Sequence, residues 1–484
     1  MKLKINTFLF SALLVATSLF SCKKEINLAP ENATYDQVFW ANGNNVQKAT
    51  SGAYVLLRDA LKQEGGFFIF GDIAADNFSL GGDLWNYATF VKNRGFNFNY
   101  APYLEGTVQN WSRFYKVINQ CNLIIANVPN IPDAKFTDGA AEKKLRIGEA
   151  KFLRAYTYFY MQRVWGDVIL VKEPFADPLN IPPLPRSAEN LTLAFCLQDL
   201  ASATSLLKYD NSKNKANKGG LLGLTAHIYA WQHNYQKAQL YCDSVINSSK
   251  YQLEDVADYK KIWAGNSKES IFELNMLYNA TSATESSADF FNIFLADPFV
   301  RDRGNGNIYF GGDTFFDIFQ EPEARVDSAF KLASDGSTHL LSKYVNVNYY
   351  DPNNENAYVV SNNLVLFRLA DFYLLRAEAK AKNGNDAGSL IDLNIIRRRA
   401  KLADYAGSGS DLFSEILDER RRELIGEGCN AFDIIRMGQL QVLFPTAYSN
   451  LRITQKGYFW PLNMRVLGKQ NNLLTQNEWW RGNF

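Results

Sequence analysis

Apolar residues three and four positions apart recur through most of the chain, the spacing of one helix face. Between Asn45 and Leu61 the stripe is Val46, Ala49, Ala53, Leu56, Leu57 and Ala60. A second helical stretch runs from Thr107 to Val128, where Pro129 and Pro132 end it. A third runs from Ala140 to Trp165, with Ala150, Leu153, Thr157, Tyr160, Met161 and Val164 on one side and Gly166 as its stop. Ser187 to Leu207 is a fourth, after a loop marked by Pro182, Pro183 and Pro185. Gly219 to Ser248 predicts two helices about a turn at His233-Asn234, and Leu364 to Leu402 predicts two more about Asn383-Gly384-Asn385.

Within the first of these pairs, Leu222, Ala226, Tyr229 and Ala230 precede the turn and Tyr235, Ala238, Cys242, Val245 and Ile246 follow it. In the second, Ala370, Leu374, Ala377 and Ala381 are followed by Ala387, Leu390, Leu393, Ile396 and Ala400. Small side chains at such positions let antiparallel helices approach closely, in the manner of a tetratricopeptide unit. The predicted class is all-α, a tetratricopeptide-like helical-repeat scaffold with a loop-rich second part. Two pairs, with the third helix as a further member, are too few for a free-standing solenoid, so the other helices and loops must cap it. Residues 66–106 and 279–362 lack helical periodicity and are rich in Gly, Asn, Asp, Ser and aromatics. Loops this long inside a compact domain usually carry function.

The start of the chain has a different pattern. Lys2 and Lys4 precede an almost wholly apolar run from Phe8 to Phe20, too short to span a bilayer and shaped like a signal peptide. The run ends at Leu19-Phe20-Ser21-Cys22, which resembles the lipobox of bacterial lipoproteins. By that resemblance residues 1–21 are removed and Cys22 becomes a lipidated N-terminus, anchored by several acyl chains. Residues 22–484 then form one domain tethered to a membrane.

Charge excludes one class of partner. The chain has 51 basic and 50 acidic residues, and nothing suggests a nucleic-acid surface. Cys121, Cys196, Cys242 and Cys429 lie far apart and read as buried thiols, with one disulfide left open. His227 and His233 are six apart, which is not metal-ligand spacing on a helix, and no motif requires a cofactor. The 34 Phe, 25 Tyr and 9 Trp fill a core, but sugar binders also need exposed flat rings, and composition does not separate these uses.

Four stretches together resemble the SusD/RagB family of outer-membrane lipoproteins known from Bacteroidetes. They are Ala29-Pro30 through Gly52-Ala53-Tyr54, Glu149 to Val171, Phe367 to Ala400, and Ile416 to Arg436; the tail from Tyr458 to Trp480 matches more loosely. The chain departs from the family pattern at Ile169 (commonly Pro), Asn430 (commonly Arg), Ala431 (commonly Trp) and Met464-Arg465 (often acidic), as a divergent member would. The resemblance implies a lipoprotein that captures glycan at the cell surface and delivers it to a TonB-dependent, SusC-like transporter of the outer membrane. Two alternatives stay open: a peptide-binding uptake lipoprotein, or a structural lid of the transporter with no ligand of its own.

Catalysis finds little support. Glu149, Glu378, Glu419 and Glu423 lie inside predicted helices, with no motif setting two carboxylates across a cleft. The runs Arg397-Arg398-Arg399 and Arg420-Arg421-Arg422 point three ways around a helix and form no single patch. The segment Gly71-Asp72-Ile73-Ala74-Ala75-Asp76-Asn77-Phe78 is more informative, with Asp83, Trp85, Asn86 and Tyr87 close behind. In related proteins the loop after such a turn commonly supplies ligand-stacking rings. Trp85 and Tyr87 are therefore the expected stacking residues, and Asp83, Asn86 and Asn77 the expected hydrogen-bonding ones. Tyr309, Phe310, Phe315 and Phe316, in a Gly- and Asn-rich stretch, form a second candidate cluster.

Overall fold

Among the described residues of the first half of the chain, the helices Gly43–Lys62 (α1), Ser112–Asn127 (α3), Gly139–Trp165 (α4), Glu189–Ala203 (α5), Lys218–Trp231 (α6) and Tyr235–Ile246 (α7) follow the predicted order, with a short unpredicted helix, Gly66–Gly71 (α2), between the first two. The computed structural model describes residues 39–75, 77–81, 108–175, 181–278, 288–304, 306, 308–310, 312–319 and 322–481. Cys22, Asp83, Trp85, Asn86 and Tyr87 lie outside the described residues. No helix among the described residues is long and apolar enough to cross a membrane.

Side chains start the helices. The Asn42 carboxamide accepts the Asn45 backbone N–H at 3.0 Å and caps α1. Of its predicted stripe Val46, Ala49, Ala53, Leu57 and Ala60 are buried and Leu56 is half-buried at the edge. Helix α4 is buried on several faces between α3 and α5, and ends at Gly166. There φ is +74°, and a Cβ would sit 2.7 Å from the Phe459 ring, so only glycine fits.

The two helix pairs share one turn chemistry. In α6–α7, His233 takes a left-handed φ of 56° and the Asn234 side chain caps α7. In the pair Leu369–Lys382 (α8) and Asp386–Arg399 (α9), Gly384 takes φ 78° and Asn385 caps α9. Helix α7 packs on α8, joining the pairs into one array. Where α6 meets α8, a Cβ on Gly223 would lie 2.4 Å from the Phe372 ring. Helices Gly409–Glu423 (α10) and Asn430–Arg436 (α11) close the array. They cover a second core of Leu374, Leu393, Ile396, Leu412, Ile416 and Ile434.

The structure corrects three readings. The second pair does not begin as helix at Leu364: Leu364–Arg368 is a strand, antiparallel to Ser270–Leu274. A buried strand has apolar residues on both faces and shows no alternation. Residues 66–106 were expected to be loop, yet Gly66–Gly71 is helix, with Phe67, Phe68, Ile69 and Phe70 all buried. A helix apolar all round carries no 3.6-residue signal. Residues 279–362 contain the short helices Ala288–Phe291, Gly312–Ile318 and Ala324–Ala329 and several two-stranded ladders. Cys121, Cys196, Cys242 and Cys429 are free thiols.

Candidate functional site

The segment from Gly71 is pinned before it reaches the surface. The two Asp72 carboxylate oxygens accept the backbone N–H groups of Gly426 at 3.0 Å and Gly428 at 2.6 Å. Burial pushes the Asp72 carboxyl up to about 7, against the opposing pull of those N–H groups. A Cβ on Gly71 would stand 2.1 Å from the Gly428 carbonyl carbon, so the two backbones touch. Gly71→Ala is expected to lower stability by about 2 kcal/mol, because backbone cannot yield as a side chain would; the chemical-denaturation midpoint measures it, and an unchanged midpoint would refute the contact.

Beyond this clamp the segment that leads to the first predicted cluster meets the second. Ser79–Leu80 pairs antiparallel with Ile308–Tyr309, in the register Ser79 with Tyr309 and Leu80 with Ile308. A Cβ on Gly81 would lie 3.2 Å from Tyr309 Cε1, so the chain runs out to residue 81 against that ring. Tyr309 is half-buried. Its neighbours in sequence are not ligand-facing as expected. Phe310 is 0% exposed and Phe315 2%. Phe310 packs on Phe78 at 4.5 Å and Phe330 at 5.3 Å, and Phe315 stacks on the His339 ring at 3.8 Å. Successive strand residues point to opposite sides, so one ring of the Tyr309-Phe310 pair must enter the core. Phe316 is exposed. Asn77 is buried, its Oδ1 3.4 Å from Arg421 Nη2 and its Nδ2 without a partner among the described residues.

Sequence reasoning missed a neighbouring group. Strands Val347–Tyr349 and Tyr358–Val360 form a hairpin that sets Tyr349 opposite Tyr358, with ring centroids 5.6 Å apart. The Arg301 guanidinium lies over the Tyr349 ring at 4.1 Å and donates to Pro352 O at 2.9 Å. Arg303 Nη1 donates to the Tyr358 hydroxyl at 2.9 Å, and that hydroxyl donates to Asn292 Oδ1 at 2.8 Å. The turn bearing both arginines is closed by Asp297 N–H donating to Arg303 O at 2.9 Å. Ala296 and Phe299 of the same turn pack in a small cluster with Tyr309. Tyr309, Tyr349 and Tyr358 thus all border the segment 292–303, with Asn292, Arg301 and Arg303 beside the hairpin tyrosines. Flat rings with fixed polar groups beside them can stack on sugar C–H faces and bond hydroxyls. The available signal was the alternation Val345-Asn346-Val347-Asn348-Tyr349, a strand pattern inside a stretch read as loop.

With this geometry in place, comparison with known proteins decides the family. A sequence model of the SusD family matches residues 225–480, more than half of the chain. The chain belongs to the SusD family. A second family model, described as starch-binding and associating with the outer membrane, matches residues 68–230. A SusD-like protein of Formosa agariphila is 25% identical over 98% of this chain and 99% of its own. A solved SusD superfamily protein of Bacteroides thetaiotaomicron aligns with TM-score 0.77 and 26% identity, covering 91% of this chain and 99% of that one. A laminarin-binding SusD-like protein aligns with TM-score 0.73 and 20% identity, over 90% and 99%.

In this SusD-family chain the charged residues of the matched stretches hold the fold together. Arg368 donates to Glu269 at 2.8 Å, Glu423 at 2.5 Å and Glu427 at 2.7 Å. Arg325 joins Glu323, Glu419 and Glu423, and Arg399 joins Glu269 and Glu423. A second group links Arg420 to Asp371 and Asp433, Arg436 to Glu378 and Asp433, and His227 Nε2 to Asp371 at 2.7 Å. Glu149 is held by Arg146. Each carboxylate weighed for acid–base work is therefore ion-paired. The two triple-arginine runs diverge as expected, Arg397, Arg398 and Arg399 reaching Glu415, Asp404 and Glu269 in turn. The departure at Ile169 has a local reason: its backbone N–H donates to the Tyr115 hydroxyl at 2.8 Å, a bond proline could not make.

Proposed function

We propose that this protein captures glycan at the outer face of the outer membrane, held there by lipid on Cys22, and delivers it to a TonB-dependent SusC-like transporter. The ligand face is the Tyr309, Tyr349 and Tyr358 surface, extended by Trp85 and Tyr87, with Asp83 and Asn86 as hydrogen-bonding residues. Asn77 supports this face from beneath by its contact with Arg421. The observation that carries the reading is the pairing of Ser79–Leu80 with Ile308–Tyr309, which brings the stretch just before Asp83 and Trp85 alongside Tyr309. The family's outer-membrane, starch-binding description and the laminarin-binding relative of like fold support a saccharide ligand. Binding without turnover is supported by the ion-paired state of the carboxylates.

The test is a binding screen of the full-length chain against polysaccharides, oligosaccharides and peptides. Saturable saccharide binding is expected, weakened about tenfold in Tyr309→Ala and in Trp85→Ala, as loss of one stacking anchor predicts. Binding of peptides alone would replace glycan by peptide as the ligand. No binding at all, with an unchanged melting temperature, would leave only a structural role beside the transporter.

A further inference from the structure

Many interior arginines of this protein pair with carboxylates, Arg325, Arg368, Arg420 and Arg436 among them, whereas Arg301 and Arg303 do not among the described residues. Among the described residues, Arg301 and Arg303 are held by neutral groups: the Tyr349 ring, Pro352 O and the Tyr358 hydroxyl. Asp297 and Asp302 share their turn, and Asp351 and Glu355 lie at the tip of the hairpin, yet none of these pairs with either guanidinium. A guanidinium has five N–H donors in a rigid fork suited to planar or tetrahedral oxyanions. Their hydrogen bonds among the described residues engage only one terminal nitrogen of each, and they act from the hairpin side. That fixes the groups in place while leaving further donors to a ligand, which lowers the ordering cost of binding. Arg301 is exposed and Arg303 half-buried, so both are within reach from solvent.

We propose that the saccharide taken by this face is acidic, with Arg301 and Arg303 receiving its carboxylate or sulfate groups while Tyr309, Tyr349 and Tyr358 receive its sugar faces. This rests on the capture role proposed above. Binding of the full-length chain would be measured by calorimetry with two matched pairs of polymers. One pair is polygalacturonate and its carboxyl-reduced neutral form; the other is dextran sulfate and dextran.

At least one acidic polymer is expected to bind about tenfold more tightly than its neutral partner, the scale of one charge-assisted hydrogen bond. Preference in the first pair assigns carboxylate and preference in the second assigns sulfate. The double variant Arg301→Gln, Arg303→Gln is expected to abolish that preference with only a small change in melting temperature, since Arg301 is exposed and Arg303 half-buried. Equal affinity within both pairs overturns the inference, as does a preference that survives in the double variant. If neutral polymers bind and Tyr309→Ala weakens them, glycan capture stands and only the acidity falls. If no saccharide binds, both readings fall together.

Discussion

Glu423→Ala should destabilise the fold by about 3–5 kcal/mol, the cost of leaving buried charge uncompensated. Glu423 is fully buried and meets Arg325 at 3.1 Å, Arg368 at 2.5 Å and also Arg399, while the Tyr259 hydroxyl donates to it at 2.8 Å. Burial alone would raise its pKa, but Arg399, Arg368 and Arg325 together outweigh burial and hold the carboxyl well below its ordinary value of 4.5. Removing the side chain withdraws this compensation from three guanidinium groups at once. Replacing one partner costs far more than the pairing itself contributes, because the surviving charges stay buried.

The pH dependence follows from the sign of the shift. A depressed native pKa gives stabilisation that is whole above the unfolded value, and that is lost as pH falls through the folded value. The wild type should therefore lose stability on acidification below the ordinary glutamate range, and Glu423→Ala should lose less there. Denaturation midpoints at neutral pH and along an acid series measure both effects. A neutral-pH loss under about 1 kcal/mol would mean the network relaxes around the gap, contrary to the expectation for a buried pair.

Phe310→Ala and Tyr309→Ala should separate stability from binding at adjacent positions. Phe310 is wholly buried against Phe78, Phe315 and Phe330, so truncation should cost about 3–5 kcal/mol through lost burial and the cavity left behind. Ligand affinity in the protein that remains folded should change little. Tyr309 is half-buried, and its ring borders the point where the chain passes through Gly81. Its truncation should lower affinity with a small effect on the melting temperature. The reverse pattern, a stable Phe310→Ala that loses ligand, would place the site on the other side of this strand.

Much of the scaffold was legible because its signals are local. Asn42, Asn234 and Asn385 cap helices that they precede by one residue, and Gly166 and Gly384 stop or turn the chain through φ values that favour glycine. The candidate site was legible in part. Tyr309, a ligand-binding candidate from the sequence, is half-buried, and its stretch meets the Asn77 segment in the strand register. Phe310 and Phe315 were not separable from it, because aromatic residues in a Gly- and Asn-rich stretch look alike until strand direction is known. The Tyr349 and Tyr358 pair was missed although an alternating pattern precedes it.

The amino-acid sequence by itself determined the long helices, the turns within the two helix pairs and the family resemblance, since their signals are repeated over neighbouring residues. Only the tertiary structure decided which aromatic rings reach solvent, that Asp72 clamps Gly426 and Gly428, and that Glu423 serves three arginines. Those facts join residues tens to hundreds of positions apart. Burial and charge compensation belong to the packed interior as a whole, where the low dielectric makes each unpaired group costly and so selects one arrangement.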